Sequence, residues 1–105
     1  MQDRVNVQNI FRPQSGQGGR ATVGAESARI GPLTPHKEYQ FFVTKLSWIA
    51  IGDSSVTATT SDFPLSTGGV YRHTPTGTDD NYIAFIEDGS ASAVTGYIFY
   101  GQSEV

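Results

Sequence analysis

From Tyr39 onward, apolar and polar residues alternate in short runs. Tyr39, Phe41 and Val43 fall on one parity of the run 38–44, and Leu46, Trp48 and Ala50 fall on one parity of the run 45–51. Successive side chains of a strand point to opposite faces, and β-branched and aromatic residues dominate both runs, so both predict strands rather than helices. Gly52-Asp53-Ser54-Ser55 predicts a turn, Val56 to Thr60 a weak strand with outward threonines, and Pro64 a stop. Gly68-Gly69 opens a strand over Val70–His73, and Pro75 to Asp80 forms the next turn. Tyr82 to Ile86 then runs into Glu87-Asp88-Gly89-Ser90, a hairpin-type connection, and Val94 to Tyr100 returns. Turn signals roughly every 8–12 residues, with no helical period, predict an all-β domain. Five or six strands in this part of the chain make it a small β-sandwich or a jelly-roll-like domain.

The first third reads differently. Val5 and Val7 alternate with Asn6 and Gln8, a short strand signal, and the stretch from Phe11 to Gly19 has the composition of a linker, ending Gly16-Gln17-Gly18-Gly19. Arg20 to Val23 and Ser27 to Ile30 follow, separated by Gly24. Then Gly31-Pro32-Leu33-Thr34-Pro35 forces an extended or turning path. Phe11 is the sole aromatic among residues 1–38, and the other eleven of the twelve lie in 39–105. A segment this poor in aromatics buries little against itself and needs another surface: its own sheet edge, a neighbouring copy, or a larger assembly. The expected division is an extended N-terminal arm over 1–37 and a β-sandwich body over 38–105.

Charge sharpens this division. Residues 1–45 carry a net +3 and residues 46–105 a net −6, which sum to the chain's −3. Such asymmetry speaks about partners rather than fold. Composition narrows the chemistry further. At 105 residues the chain is one domain, able to bury roughly 65% of its surface on folding. The absence of cysteine excludes disulfides, thiol nucleophiles and zinc–thiolate sites. No apolar run nears the ~18 residues of a membrane span, and the opening residues lack the apolar stretch of a signal peptide. A soluble, unexported protein with no membrane partner is expected.

Candidate catalytic groups are sparse. His36 and His73 stand at no metal-ligand spacing from each other or from a carboxylate on the same strand face, so hydrogen-bonded surface roles are expected for both. Asp53, Asp79-Asp80 and Glu87-Asp88 sit in turns, where aspartate bonds to backbone N–H groups, and the ordered spacing of a calcium loop is absent. Ser54, Ser55 and Ser61 lack a G-x-S-x-G setting. The Gly16–Gly19 run lacks the Lys, strand and helix of a phosphate loop. The expectation is a protein that is not an enzyme and needs no cofactor or metal. Arg4, Arg12, Arg20 and Arg29 are spaced eight or nine apart and could track phosphates, but with Phe11 the one stacking aromatic nearby, nucleic acid is not the expected partner. Spaced cations on an extended segment fit an acidic protein surface better. Trp48, mid-strand, is expected as a core anchor, and Phe63 with Leu65 either plugs one end of the sandwich or meets a neighbour.

The run from Trp48 to Tyr71, WIAIGDSSVTATTSDFPLSTGGVY, resembles a pattern in small virion proteins of tailed bacteriophages. It has a strand ending in a Gly-containing turn and a threonine- and alanine-rich stretch. A Ser-Asp-Phe-Pro-Leu unit follows, then small residues leading to an aromatic-bearing strand. Continuing through Ile83-Ala84-Phe85-Ile86 to the terminal hydrophobic strand, the resemblance spans roughly residues 38–101. It implies an all-β sandwich of the capsid decoration, or cement, type, with a mobile or clamping N-terminal arm and no catalytic residues. On this reading the protein binds the major capsid protein on the outside of the virion and stabilises contacts between capsomers. It is made in the host bacterial cytoplasm and forms a homo-oligomer, a dimer or trimer. The expected partner-binding residues of the arm are Arg4, Val5, Val7, Ile10, Phe11, Arg12, Arg20 and Arg29, with Phe63 and Leu65 as subunit contacts. The alternative is a carbohydrate- or receptor-binding module of a phage tail or fibre, using Tyr71, His73, Asp79 and Asp80.

Overall fold

The computed structural model describes residues 11–87 and 95–104. These described residues form eight strands: β1 (Pro13–Val23), β2 (Ala28–Ile30), β3 (Tyr39–Val43), β4 (Ser47–Gly52), β5 (Phe63–Leu65), β6 (Val70–His73), β7 (Tyr82–Glu87) and β8 (Gly96–Ser103). The pairing is nested and antiparallel: β1 with β8, β2 with β7, β3 with β6, β4 with β5. The chain is thus one long hairpin. It is wrapped so that β3 also pairs with β8 and β4 with β7, giving two four-stranded sheets of order β1-β8-β3-β6 and β2-β7-β4-β5. This double winding is a jelly roll.

The core follows from strand parity. Tyr39, Phe41 and Val43 point inward from the first sheet, with Ile98 of β8 opposite Val43. Ile49 of β4 faces Phe85 of β7, and Ile83 sits beside Ile30 of β2. Phe41, Val43, Ile83, Phe85 and Ile98 are completely buried. Each such side chain contributes about 1.5–3 kcal/mol relative to exposure. A one-residue slip would turn all of them to the solvent, so this register is strongly specified. The polar groups around Tyr39 are matched: the Tyr39 hydroxyl donates to Gln102 Oε1 (2.9 Å) and accepts from Thr34 N (2.8 Å), and Gln102 Nε2 donates to Gln14 Oε1 (3.2 Å).

The first third of the chain is not an arm outside the sandwich from residue 13 onward. β1 and β2 form one edge of each sheet, and Val23, Ile30 and Leu33 belong to the core. The run read as a linker is the first half of β1, because its glycines serve the strand. Between Pro13↔Ser103 and Gly18↔Gly101 the chain advances five residues on β1 against two on β8, a bulge that holds Gly16 at φ +79°. Gly19 lies under the Tyr100 ring, where a Cβ would come within 2.6 Å of it. Pro13 is tolerated as the first residue of an edge strand, and Pro64, expected to stop a strand, sits within the edge strand β5 opposite Trp48.

Residues 53–62, part of which was expected to be a strand, instead form a strap across the outer face of the second sheet. Val56 packs on Gly52, Arg29 Nη1 donates to the Val56 carbonyl (2.9 Å), and Ala58 N donates to Ser27 Oγ (2.8 Å). The outward parity there is small, with Ala50 opposite Ala84 and Gly52 next along the strand, and this shallow trough seats the strap. Ala84 is outward-facing yet fully buried, and Ala58 is buried with it. Trp48 also takes this outward parity rather than the core. Its neighbours Ser47 and Ile49 point inward, and Ile51 packs against the core from the same parity. Replacing Ala84 with Leu should therefore lift the strap and lower stability by about 1–3 kcal/mol, the usual cost of overpacking. Urea denaturation of the two proteins measures it, and an unchanged midpoint would mean the strap does not rest on Ala84.

Candidate functional site

Among the described residues, three surface features are the candidates on which chemistry or binding could be built. The first is on the outer face of the first sheet. In β3 the doublet Phe41-Phe42 must send one ring each way, and in β8 Phe99-Tyr100 does the same. The register lines the outward members up across all four strands: Arg20 beside Phe99, Phe99 beside Phe42, Phe42 beside Val70. Phe42 and Phe99 stack with centroids 5.0 Å apart, and Tyr97 meets Phe99 at 6.1 Å. Phe42 is 43% exposed and Val70 57% exposed. Phe11 packs near Gly101 on the same face and joins Gln40, Phe42 and Phe99 around a shallow depression of about 280 Å³. A contiguous apolar row on the outside of a small sandwich, where alternation normally places polar residues, makes this face a candidate interaction surface.

The second feature is a cleft on the flank where β5 and β6 form the free edges of the two sheets. β5 pairs with β4 only from Leu65↔Ser47 to Phe63↔Ile49, so Ala50–Gly52 have no strand partner on that side. The cleft holds about 360 Å³ and is lined by Ile49, Ala50, Ile51, Phe63 and Tyr71. Phe63, 58% exposed, and Tyr71 flank it with centroids 6.1 Å apart.

The third is the loop end formed by the turns after β4 and β6, where Asp53, Ser54, Asp79, Asn81 and Tyr82 surround a depression of about 290 Å³. Asn81 Oδ1 is buried there without a hydrogen-bond partner. Asp80 is committed to the turn itself. Its carboxylate accepts from Thr76 N (2.8 Å), Thr76 Oγ1 (2.9 Å) and Gly77 N (3.1 Å). Those bonds, led by that from the Thr76 amide, hold its pKa below the usual carboxylate range. His73 Nε2 lies 2.8 Å from the Asp80 carbonyl oxygen; a carbonyl only accepts, so that nitrogen carries the proton. Asp79, at φ +59°, is exposed on the depression. Asp53 is likewise held low, chiefly by the Ser55 hydroxyl (2.6 Å) and then by the Ser55 amide (2.9 Å).

Among the expected arm residues, Arg4, Val5, Val7 and Ile10 lie outside the described residues. The others are not gathered into one site. Arg12 Nη1 lies 3.3 Å from Glu104 Oε2, Arg20 stacks over the Tyr97 ring at 4.7 Å, and Arg29 anchors the strap. Each described arginine of the series thus has a partner within the chain. Of the two expected subunit contacts, Phe63 is on the surface, whereas Leu65 is buried: it shares the inward parity of Ser47 and joins the core. The residues proposed for a carbohydrate site divide as well, with Tyr71 in the flank cleft and His73, Asp79 and Asp80 at the loop end. The outward row Phe99–Phe42–Val70 escaped the sequence reading, although the two aromatic doublets carried the signal. Among the described residues no three histidine or acidic side chains converge as metal ligands.

No protein-family model and no curated protein matches the chain. Among solved structures it is similar to a de novo designed double-stranded β-helix determined by solution NMR, at 11% identity and a TM-score of 0.58, covering 83% of this chain and 99% of that one. At that identity the likeness concerns the fold alone.

The Asp80 turn has a defined pH dependence. A carboxylate with a depressed folded pKa contributes stability above its unfolded value near 3.9 and loses it as pH falls through the lower folded value. The Thr76 and Gly77 amides should therefore stay protected from hydrogen exchange at neutral pH and lose protection below about pH 4. Asp80→Asn should weaken that protection at neutral pH too; unchanged exchange in the variant would show that the carboxylate does not hold the turn.

Proposed function

We propose that this protein is a non-catalytic structural component of a tailed-phage virion that binds the outside of the capsid and stabilises contacts between neighbouring capsomers. The observation that carries the reading is the bare row Phe99–Phe42–Val70 on the first sheet, while the corresponding face of the second sheet is covered by the chain's own strap. A sandwich that covers the middle of one outer face with its own chain and leaves aromatic residues across the other has a surface for a protein partner. The resemblance of residues 48–71 to small virion proteins names the partner class: the major capsid protein. A repeating shell suits such a surface, because modest contacts multiply when many copies bind a lattice.

The test is co-sedimentation of the full chain with shells assembled from the major capsid protein. The double variant Phe42→Ser/Val70→Thr should bind at least tenfold more weakly, as expected when aromatic anchors are removed from an interface. Its thermal midpoint should move little, because these side chains project outward. Shells that bind neither protein, or both equally, would overturn the reading.

A second reading, the carbohydrate- or receptor-binding module, is favoured by the loop-end depression, which Asn81, with its buried and unpartnered Oδ1, lines together with Asp53, Asp79 and Tyr82. Glycan binding lost in Asp79→Ala, by a chain with no affinity for shells, would favour it over the first.

A further inference from the structure

The flank cleft combines apolar side chains with a stretch of strand edge that has no strand beside it. β4 is six residues long and β5 three, so the edge of β4 at Ala50–Gly52 faces the cleft without a strand beside it. An unpaired strand edge offers its N–H and C=O groups to an incoming extended segment, and flanking pockets take alternate side chains of that segment. Phe63 and Tyr71 supply the apolar flanks.

We propose that this cleft receives residues 4–10 of a second copy of the chain, laid as an added strand along the edge of β4. This deepens the assembly reading and rests on it. Three considerations select the occupant. Val5 and Val7 alternate with Asn6 and Gln8, so on an added strand both valines face one side, about 7 Å apart. Arg4 stands next to Val5 in the basic part of the chain, and Asp62 stands next to Phe63 in the acidic part, so the approach is complementary in charge.

Reach excludes the chain's own segment. Phe11 lies on the outer face of the first sheet beside Gly101 of β8, and the cleft lies beyond β6, two strands further and around the sheet edge. With strands about 4.8 Å apart and sheets about 10 Å apart, that path is roughly 20–25 Å. Crossing it takes six or seven residues at about 3.3 Å each, which uses up Val5, Val7 and Ile10 before the cleft is met. The same residues of a neighbour carry no such constraint.

The chain's lack of cysteine makes the test direct. Full-length Val7→Cys is mixed with full-length Phe63→Cys or, for comparison, with Thr22→Cys on the outer face of the first sheet, and each mixture is treated with a short bismaleimide. The expected result is a cross-linked heterodimer with Phe63→Cys and little with Thr22→Cys. Light scattering should give a dimer or larger for the intact chain and a monomer for Phe63→Ser, whose ring is surface-exposed and whose fold is checked by circular dichroism. Three results would overturn the proposal: no cross-link, a stronger one to Thr22→Cys, or a link forming only inside a single chain carrying both cysteines. Shell co-sedimentation is run beside it. Retained shell binding without the cross-link overturns this inference alone, whereas loss of both overturns the assembly reading as well.

Discussion

Everything in this fold depends on two seams, β3 against β8 and β4 against β7, because they convert a long hairpin into a closed winding. The nested pairs alone would give a flat ribbon with both faces wet. Joining β3 to β8 and β4 to β7 brings the inward parities of the two sheets together and makes one core from Phe41, Val43 and Ile98 on one side and Ile49, Ile83 and Phe85 on the other. The same seams leave four edge strands. β1 and β2 bound one flank, β5 and β6 the other. Edges invite pairing with other chains, and proteins ordinarily cover, shorten or bulge them. β1 carries a bulge and β2 is only three residues long. At the β5–β6 flank, β5 is short and begins at an exposed phenylalanine, which leaves β4 bare for its last three residues.

The two outer faces are treated differently, and the difference begins in side-chain size. Midway along β4 and β7 the second sheet presents Ala50, Gly52 and Ala84 outward, between Trp48 with Ile86 on one side and Tyr82 on the other, which makes a trough that the residues after β4 fill. The first sheet presents Phe42, Phe99 and Tyr97 outward, and large rings leave no trough for a segment of the same chain. A face that is too bulky to be covered from within and too apolar to be left wet at no cost is suited to another surface. Arg20, stacked on Tyr97, places a cation at its margin without interrupting the row.

Much of the body was legible in the sequence because two-residue alternation is a local signal. Val70–His73 falls where the pattern placed it, and the strands at 39–43, 47–52 and 82–87 differ from expectation by a residue or two. The first third was harder to read for a definite reason. β1 is glycine-rich, and composition reports what glycine permits, which is a linker, not what a particular β8 requires of it: a bulge at Gly16 and a close approach at Gly19. The parity of β4 was misjudged because Trp48 is the larger and more conspicuous residue, yet Ile49 and Ile51 take the core side. Burial of Ala84 on an outward position could not be foreseen from alternation, since it is caused by a strap ten residues long whose destination is set by tertiary contacts. The candidate surfaces follow the same logic. Phe63 stood out in the sequence, whereas Phe42 was hidden by its inward neighbour Phe41.

The partition of charge along the chain takes on a different meaning once the fold is known. The arginines at 12, 20 and 29 do not form a basic stripe, because their partners are a carboxylate near the C-terminus, an aromatic face and a backbone carbonyl of the strap. They bind the first third of the chain to the rest of it. Exposed pairs of this kind contribute little energy but fix register, as in the way Arg12 meets Glu104 while the backbone of the same two residues also pairs, the Glu104 amide donating to the Arg12 carbonyl at 2.8 Å. What is left for an outside partner is then largely apolar: the Phe99–Phe42–Val70 row and the Phe63–Tyr71 cleft. Association through such surfaces scales with the area removed from water and is insensitive to salt, whereas a stripe of phosphate-tracking arginines would bind steeply less well as salt rises. Among the described residues the fold has turned Arg12, Arg20 and Arg29 to internal use and left Phe42 and Phe63 outward, an allocation that fits the proposed protein partner better than a nucleic acid.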